Sequence, residues 1–121
     1  MAQSFERREV ICADSLVWLD KFQDGGFGPE TSVLTSLPDI AEMPELFRGF
    51  HVEEYKAWFV KTMSKIMSKL CVGCYMIVMQ SDIRMMNNDR EIFEWVDKGH
   101  LASTAADKQN MTLVWHKLVS Y

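Results

Sequence analysis

From Val52 to Leu70 the apolar side chains fall at Val52, Tyr55, Trp58, Phe59, Met63, Ile66, Met67 and Leu70. That three-and-four spacing predicts a helix with one buried face. Glu53 and Glu54 in its first turn and Lys61, Lys65 and Lys69 toward its end oppose the backbone dipole, as a stable helix prefers. The remaining apolar runs are shorter. Glu9-Val10-Ile11-Cys12-Ala13 is β-type and stops at Asp14-Ser15, a pair suited to cap a short helix over Leu16 to Phe22. Ser32 to Thr35 reads as a second strand, ended by Ser36-Leu37-Pro38-Asp39. After Gly73, Tyr75-Met76-Ile77-Val78-Met79 is apolar throughout, the mark of a strand covered on both faces, and it ends at Gln80-Ser81-Asp82. A polar stretch with Asn87-Asn88-Asp89 leads through Glu91 to Val96 to a helix over Leu101 to Lys108, then to a fourth strand at Met111 to Trp115.

Strands alternating with helices predict a three-layer α/β arrangement, with a mostly parallel sheet and helices on both faces. Composition changes this picture little. The 121 residues suffice for a single α/β domain spanning residues 1–121, and neither repeats nor low-complexity segments divide it. Thirteen basic against seventeen acidic residues give a net charge of −4, which excludes a histone-like polyanion binder. Three cysteines are an odd number, and no apolar run approaches a membrane span. The expectation is an intracellular, cytoplasmic protein with reduced thiols and no membrane association.

In an open parallel sheet ligands bind beyond the carboxyl ends of the strands, where loops diverge and helix N-termini point. Three strand ends here are polar and acidic: Asp14-Ser15, Thr35-Ser36-Leu37-Pro38-Asp39 and Gln80-Ser81-Asp82. Asp, Ser and Pro also stop strands and cap helices for purely local reasons. Only their coincidence at one edge points to a site.

Taken in order, these residues resemble the S-adenosylmethionine-dependent amino-methyltransferases of permuted motif order. The likeness rests on Ala13-Asp14-Ser15 followed by Leu16 and Leu19, on Thr35-Ser36-Leu37-Pro38-Asp39 where that family has Thr-Ser-Pro-Pro-Tyr, on Tyr55-Lys56-Ala57-Trp58, on Gly73 to Met79, and on Trp115-His116-Lys117. It implies a Rossmann-like methyltransferase fold, present in part, and S-adenosylmethionine as cofactor. It also implies roles. Asp14 matches the acid that accepts a hydrogen bond from the adenine amino group, with Ser15 beside it. Ser36 matches the residue that takes a hydrogen bond from the amino group being methylated, and Pro38 the proline that stiffens the turn. Asp39 becomes the candidate general base or substrate-orienting carboxylate. Asp82, Trp95 and Lys117 are the candidate substrate-binding residues, for nucleic acid or another methyl acceptor.

Two departures qualify what the resemblance implies. Leu37 replaces the family's first proline and Asp39 its aromatic, which removes a π-face worth about 1–3 kcal/mol to a stacked base. In the permuted order the glycine-rich cofactor loop would follow Tyr121, and Gly25-Gly26-Phe27-Gly28 sits between a helix and a strand, the wrong end of the sheet. The chain therefore reads as an incomplete part of a longer domain, inactive alone. Between the strand ending at Asp14 and that ending at Ser36 a gap is expected, closed by direct pairing, by a homo-oligomer or by a further segment. A non-catalytic α/β interaction module that has lost methyl transfer is the alternative.

Other signals have bland readings. Cys71-Val72-Gly73-Cys74 has the spacing of metal knuckles and redox pairs, yet no second pair or nearby His pair accompanies it, so no metal site is expected. His51, His100 and His116 are scattered. The Lys56, Lys61, Lys65, Lys69 stripe suits either phosphate or solvent. Trp95, between Glu94 and Asp97, is the tryptophan expected at the exposed binding edge.

Overall fold

The computed structural model describes residues 7–118. It is a mixed α/β structure in the order α1 (Ser15–Leu19), β1 (Val33–Thr35), α2 (Val52–Ser68), β2 (Met76–Val78), β3 (Ile83–Asn87), β4 (Ile92–Val96) and α3 (Lys98–Lys108). The amphipathic face read from the sequence builds the core. Val52, Tyr55, Phe59, Met63, Ile66 and Met67 of α2 are buried, and they pack against Leu101 and Ala105 of α3, Val96 of β4 and Met85 of β3. Around Phe47 the rings of Phe50, Tyr55 and Trp58 meet edge to face at 5.4, 5.3 and 4.8 Å between centroids, the arrangement that ring quadrupoles favour. At the start of α2 the backbone N–H of His51 donates to Glu54 Oε2 at 2.6 Å, half of a capping box.

β1, α2 and β2 form a β-α-β unit. The strands pair in parallel, Val33 with Met76, Leu34 with Ile77 and Thr35 with Val78, and the ladder is prolonged by Val33 N–H to Tyr75 O and Met79 N–H to Thr35 O. Val33, Met76 and Val78 turn toward the core. Their alternates do not: Leu34, Tyr75, Ile77 and Met79 are exposed at 68, 61, 53 and 67%. The expectation of cover on both faces thus fails among the described residues, where α2 supplies one layer and the opposite face is bare.

The sheet is also smaller than expected, and it is not mostly parallel. The second pair of strands is an antiparallel hairpin, β3 with β4, placing Ile83 opposite Val96 and Arg84 opposite Trp95. Its loop is built by Asn87, whose Oδ1 accepts from the N–H groups of Asp89 and Arg90, and it closes through Glu91 in the left-handed region at φ 57°. Two expected strands are absent. Glu9 to Ala13 and Met111 to Trp115 stay unpaired and, apart from the half-buried Met111, exposed, because β-type side chains supply no ladder without a neighbouring backbone. The second begins where Asn110, at φ 55°, ends α3 and turns the chain back along it, bringing His116 beside Gly99.

Candidate functional site

The Ser36 to Asp39 segment leaves the carboxyl end of β1 and is clamped on both sides. The N–H of Leu37 donates to Gln80 Oε1 at 2.5 Å while Gln80 Nε2 donates to Leu37 O at 3.0 Å, so one side chain satisfies both backbone groups of the residue. The Leu37 side chain is buried in the core. One residue on, Pro38 O accepts from the Tyr55 hydroxyl at 2.9 Å. The segment then turns, and Asp39 Oδ1 accepts from the N–H groups of Ala41 and Glu42. Ser36 is exposed, and Pro38 and Asp39 are half-buried.

Beneath this segment lies Lys98, 1% exposed, its Nζ 5.9 Å from the centre of the Tyr55 ring. Among the described residues its Nζ makes no ion pair. Burial pulls its ammonium below the usual lysine range, and the nearby carboxylates of Asp39, Glu42 and Asp82 oppose that pull. Burial likewise pushes the Tyr55 phenol well above its usual range, with Asp39 and Glu42 adding to the shift. The sequence reading missed both residues as site groups. Tyr55 counted there as a core position of α2, and Lys98 preceded the expected helix start; no sequence signal marks a lysine as buried.

Asp82 joins the two sheets' ends. Its Oδ2 accepts from Trp95 Nε1 at 3.0 Å and its Oδ1 from the N–H of Lys98 at 2.9 Å, so it caps α3 alongside Asp97, whose Oδ1 accepts from His100 N–H. Trp95 stays exposed, as expected of it. Arg84 stacks over Phe93 on the same hairpin, 5.1 Å from the ring centre. Lys117 is exposed in the unpaired segment next to His116, which lies against Gly99 at the start of α3. The structure thus brings Asp39 and Asp82 near Lys98, with Pro38 held by Tyr55, Trp95 bonded to Asp82, and Lys117 following His116 at the start of α3.

Asp14 and Ser15 lie elsewhere. Asp14 Oδ1 accepts from Leu16 N–H at 2.9 Å and Val17 N–H at 3.4 Å, the N-cap role read from the sequence. Ser15 lines a cleft of about 400 Å³ beside β1, with Trp18, Phe27, Thr31, Val33 and Thr35 on its walls. Trp18, Phe22 and Phe27 stack edge-on there at 4.7 and 4.9 Å. The segment holding Asp39 and the cleft holding Ser15 are therefore joined through Thr35 and Ser36.

The residues present do not fit S-adenosylmethionine by themselves. A glycine loop holds an anionic or carboxylate group only with free amides. Here Gly25 N–H donates to Ser68 O and Phe27 N–H to Lys69 O, capping the end of α2, while Gly26 N–H closes a local turn onto Gln23 O. Gly25 and Gly28, at φ 69° and 96°, serve a turn. Of the Asp14 carboxylate, the expected adenine acceptor, Oδ1 is engaged by its own helix.

The competing signals resolve locally. Lys65 pairs with Asp20, Lys69 Nζ donates to Phe22 O at 2.7 Å, and Lys56 lies between Glu53 and Glu94, so most of the lysine stripe fastens α2 to its neighbours. Cys71 and Cys74 Sγ face the carbonyls of Gly25 and of Gly28 and Pro29. Among the described residues no group of His, Cys, Asp and Glu is placed to hold a metal ion, and no helix is long and apolar enough to cross a membrane. Comparison with protein-family models, with curated proteins and with solved structures gave no match for this chain.

Proposed function

We infer that this chain is the acceptor-side part of a methyltransferase-like α/β protein, its substrate edge formed by Ser36, Pro38, Asp39, Asp82 and Trp95. The observation that carries this reading is the double clamp on the Ser36 to Asp39 segment. Gln80 and Tyr55 fix a Ser-x-Pro-Asp turn at the carboxyl end of a parallel strand, where a nucleophile's hydrogen-bond partners belong. The fixed backbone leaves the Ser36 hydroxyl exposed and Asp39 half-buried one turn away, suited to orient an amine and accept its proton. The three-layer Rossmann-like sheet belongs to this proposal, as does S-adenosylmethionine, which needs segments beyond these residues.

The test is transfer of a radiolabelled methyl group from S-adenosylmethionine by the protein to DNA, RNA, protein and small amines. Label incorporation into one acceptor, lost in Ser36→Ala with Asp39→Ala, is the expected result. Incorporation that is unchanged in the double variant sinks the site assignment. Absence of transfer to every acceptor favours the second reading, a non-catalytic interaction module, which the bare β1–β2 face supports independently.

A further inference from the structure

We propose that Cys71 and Cys74 form a reversible dithiol–disulfide site that exchanges with low-molecular-weight disulfides, and that its oxidation releases the loop from Gly25 to Pro29. The two cysteines are the first and fourth residues of the turn between α2 and β2. Cys74 N–H donates to Cys71 O at 3.1 Å, and Gly73 sits at φ 87°, the positive φ that a type II turn requires at its third residue. Such a turn holds its outer Cα atoms within about 7 Å, the span a disulfide bridges. Both sulfurs face one loop: Cys71 Sγ donates to Gly25 O at 2.9 Å and Cys74 Sγ to Pro29 O at 3.3 Å. Both cysteines are half-buried and Val72 between them is fully exposed, so a small reagent reaches the turn. Among the described residues no third His, Cys, Asp or Glu joins them to hold a metal ion, which leaves sulfur–sulfur chemistry to the pair.

The exchange balances with a disulfide as oxidant. One cysteine thiolate attacks a sulfur of glutathione disulfide, whose S–S bond breaks and sends off one glutathione thiolate with the electron pair. The second cysteine thiolate attacks the cysteine sulfur of the mixed disulfide, forms the Cys71–Cys74 bond and expels the second glutathione. Two electrons pass from the pair to glutathione, and the two protons given up by the cysteines end on the two thiolates released. Neither cysteine then carries an S–H, so Gly25 O and Pro29 O lose those donors. Gly25 N–H stays bonded to Ser68 O and Phe27 N–H to Lys69 O, so the release begins at the Pro29 end. That end leads to Thr31, which with Phe27 walls the cleft beside β1. The redox state of the pair therefore sets how firmly that wall is held. This inference is independent of methyl transfer.

The test equilibrates the reduced native chain with mixtures of glutathione and glutathione disulfide, traps free thiols with a maleimide, and maps tryptic peptides by mass. The peptide from Leu70 to Arg84 should lose both labels in one step and return at the mass of an internal disulfide, and excess dithiothreitol should restore both labels. Cys71→Ser should instead stop at one glutathione on Cys74, while the mapping of the native chain decides the matter should that variant fail to fold. Both labels retained in excess glutathione disulfide, a glutathione on each cysteine, or a link between two chains overturns the site. Hydrogen exchange reads the release: segment 25–31 should exchange severalfold faster in the oxidised protein, with Phe59 and Met63 of α2 unchanged. An internal disulfide that leaves that exchange unaltered overturns the coupling to the loop.

Discussion

Replacing Tyr55 by Phe removes one oxygen and nothing else from the centre of the molecule. The ring remains packed among Phe47, Trp58 and Phe59, with centroids 5.3, 6.0 and 6.3 Å away, so the apolar contribution is kept. What is lost is the 2.9 Å hydrogen bond to Pro38 O, which contributes about 1 kcal/mol, and a partly buried carbonyl then lacks its partner. A loss of about 1–2 kcal/mol follows. With a urea m-value of about 1.5 kcal/mol/M for a domain of this size, the midpoint should fall by about 1 M. The sign of its pH dependence is fixed by the phenol. Because the folded state raises the pKa above 10.0, the native chain keeps the proton that the unfolded chain releases. The stabilising contribution is therefore complete below about pH 10 and declines as pH rises beyond it. Urea titrations of both proteins from about pH 7 to 11 should show a gap that is constant to about pH 10 and narrows above. Equal midpoints at neutral pH, or a gap that stays constant through the alkaline range, would refute the role given to this hydroxyl.

Lys98→Met should leave stability at neutral pH unchanged or raise it, because an apolar chain of similar length replaces a buried cation without an ion pair. In the native protein the lowered pKa makes the unfolded state bind more protons between that value and 10.5, so stability rises with pH across this window; the Lys98→Met variant should lose that slope, as denaturant titrations in this range would show. Gln80→Ala should cost about 2 kcal/mol by thermal denaturation through its two bonds to Leu37, and should speed hydrogen exchange at Leu37 N–H; an unaltered exchange rate there would remove the clamp from the site.

The residue pattern determined what local chemistry and a single periodicity can determine. Apolar positions at three-four spacing specify α2, and Asp14 before a short apolar run specifies the cap of α1, because both depend on residues within one or two turns. The cores of β1 and β2 were legible for a similar reason, each an apolar run bounded by turn residues. Pairing was not. Glu9 to Ala13 and Met111 to Trp115 have the same β-type composition as β1, yet only a neighbouring backbone turns such a run into a strand, and the fold provides none for them among the described residues. The hairpin β3–β4 escaped because apolar residues occupy both its faces and blur the period of two, although Asn87-Asn88-Asp89 was its local signal. The site divided along the same line. Ser36, Pro38, Asp39 and Asp82 were marked by their position at strand ends, which sequence order conveys. That Tyr55 holds Pro38 from another element, and that Lys98 is buried where the carboxylates of Asp39, Glu42 and Asp82 influence its charge without pairing with it, depends on how α2 and α3 pack, which tertiary contacts alone decide.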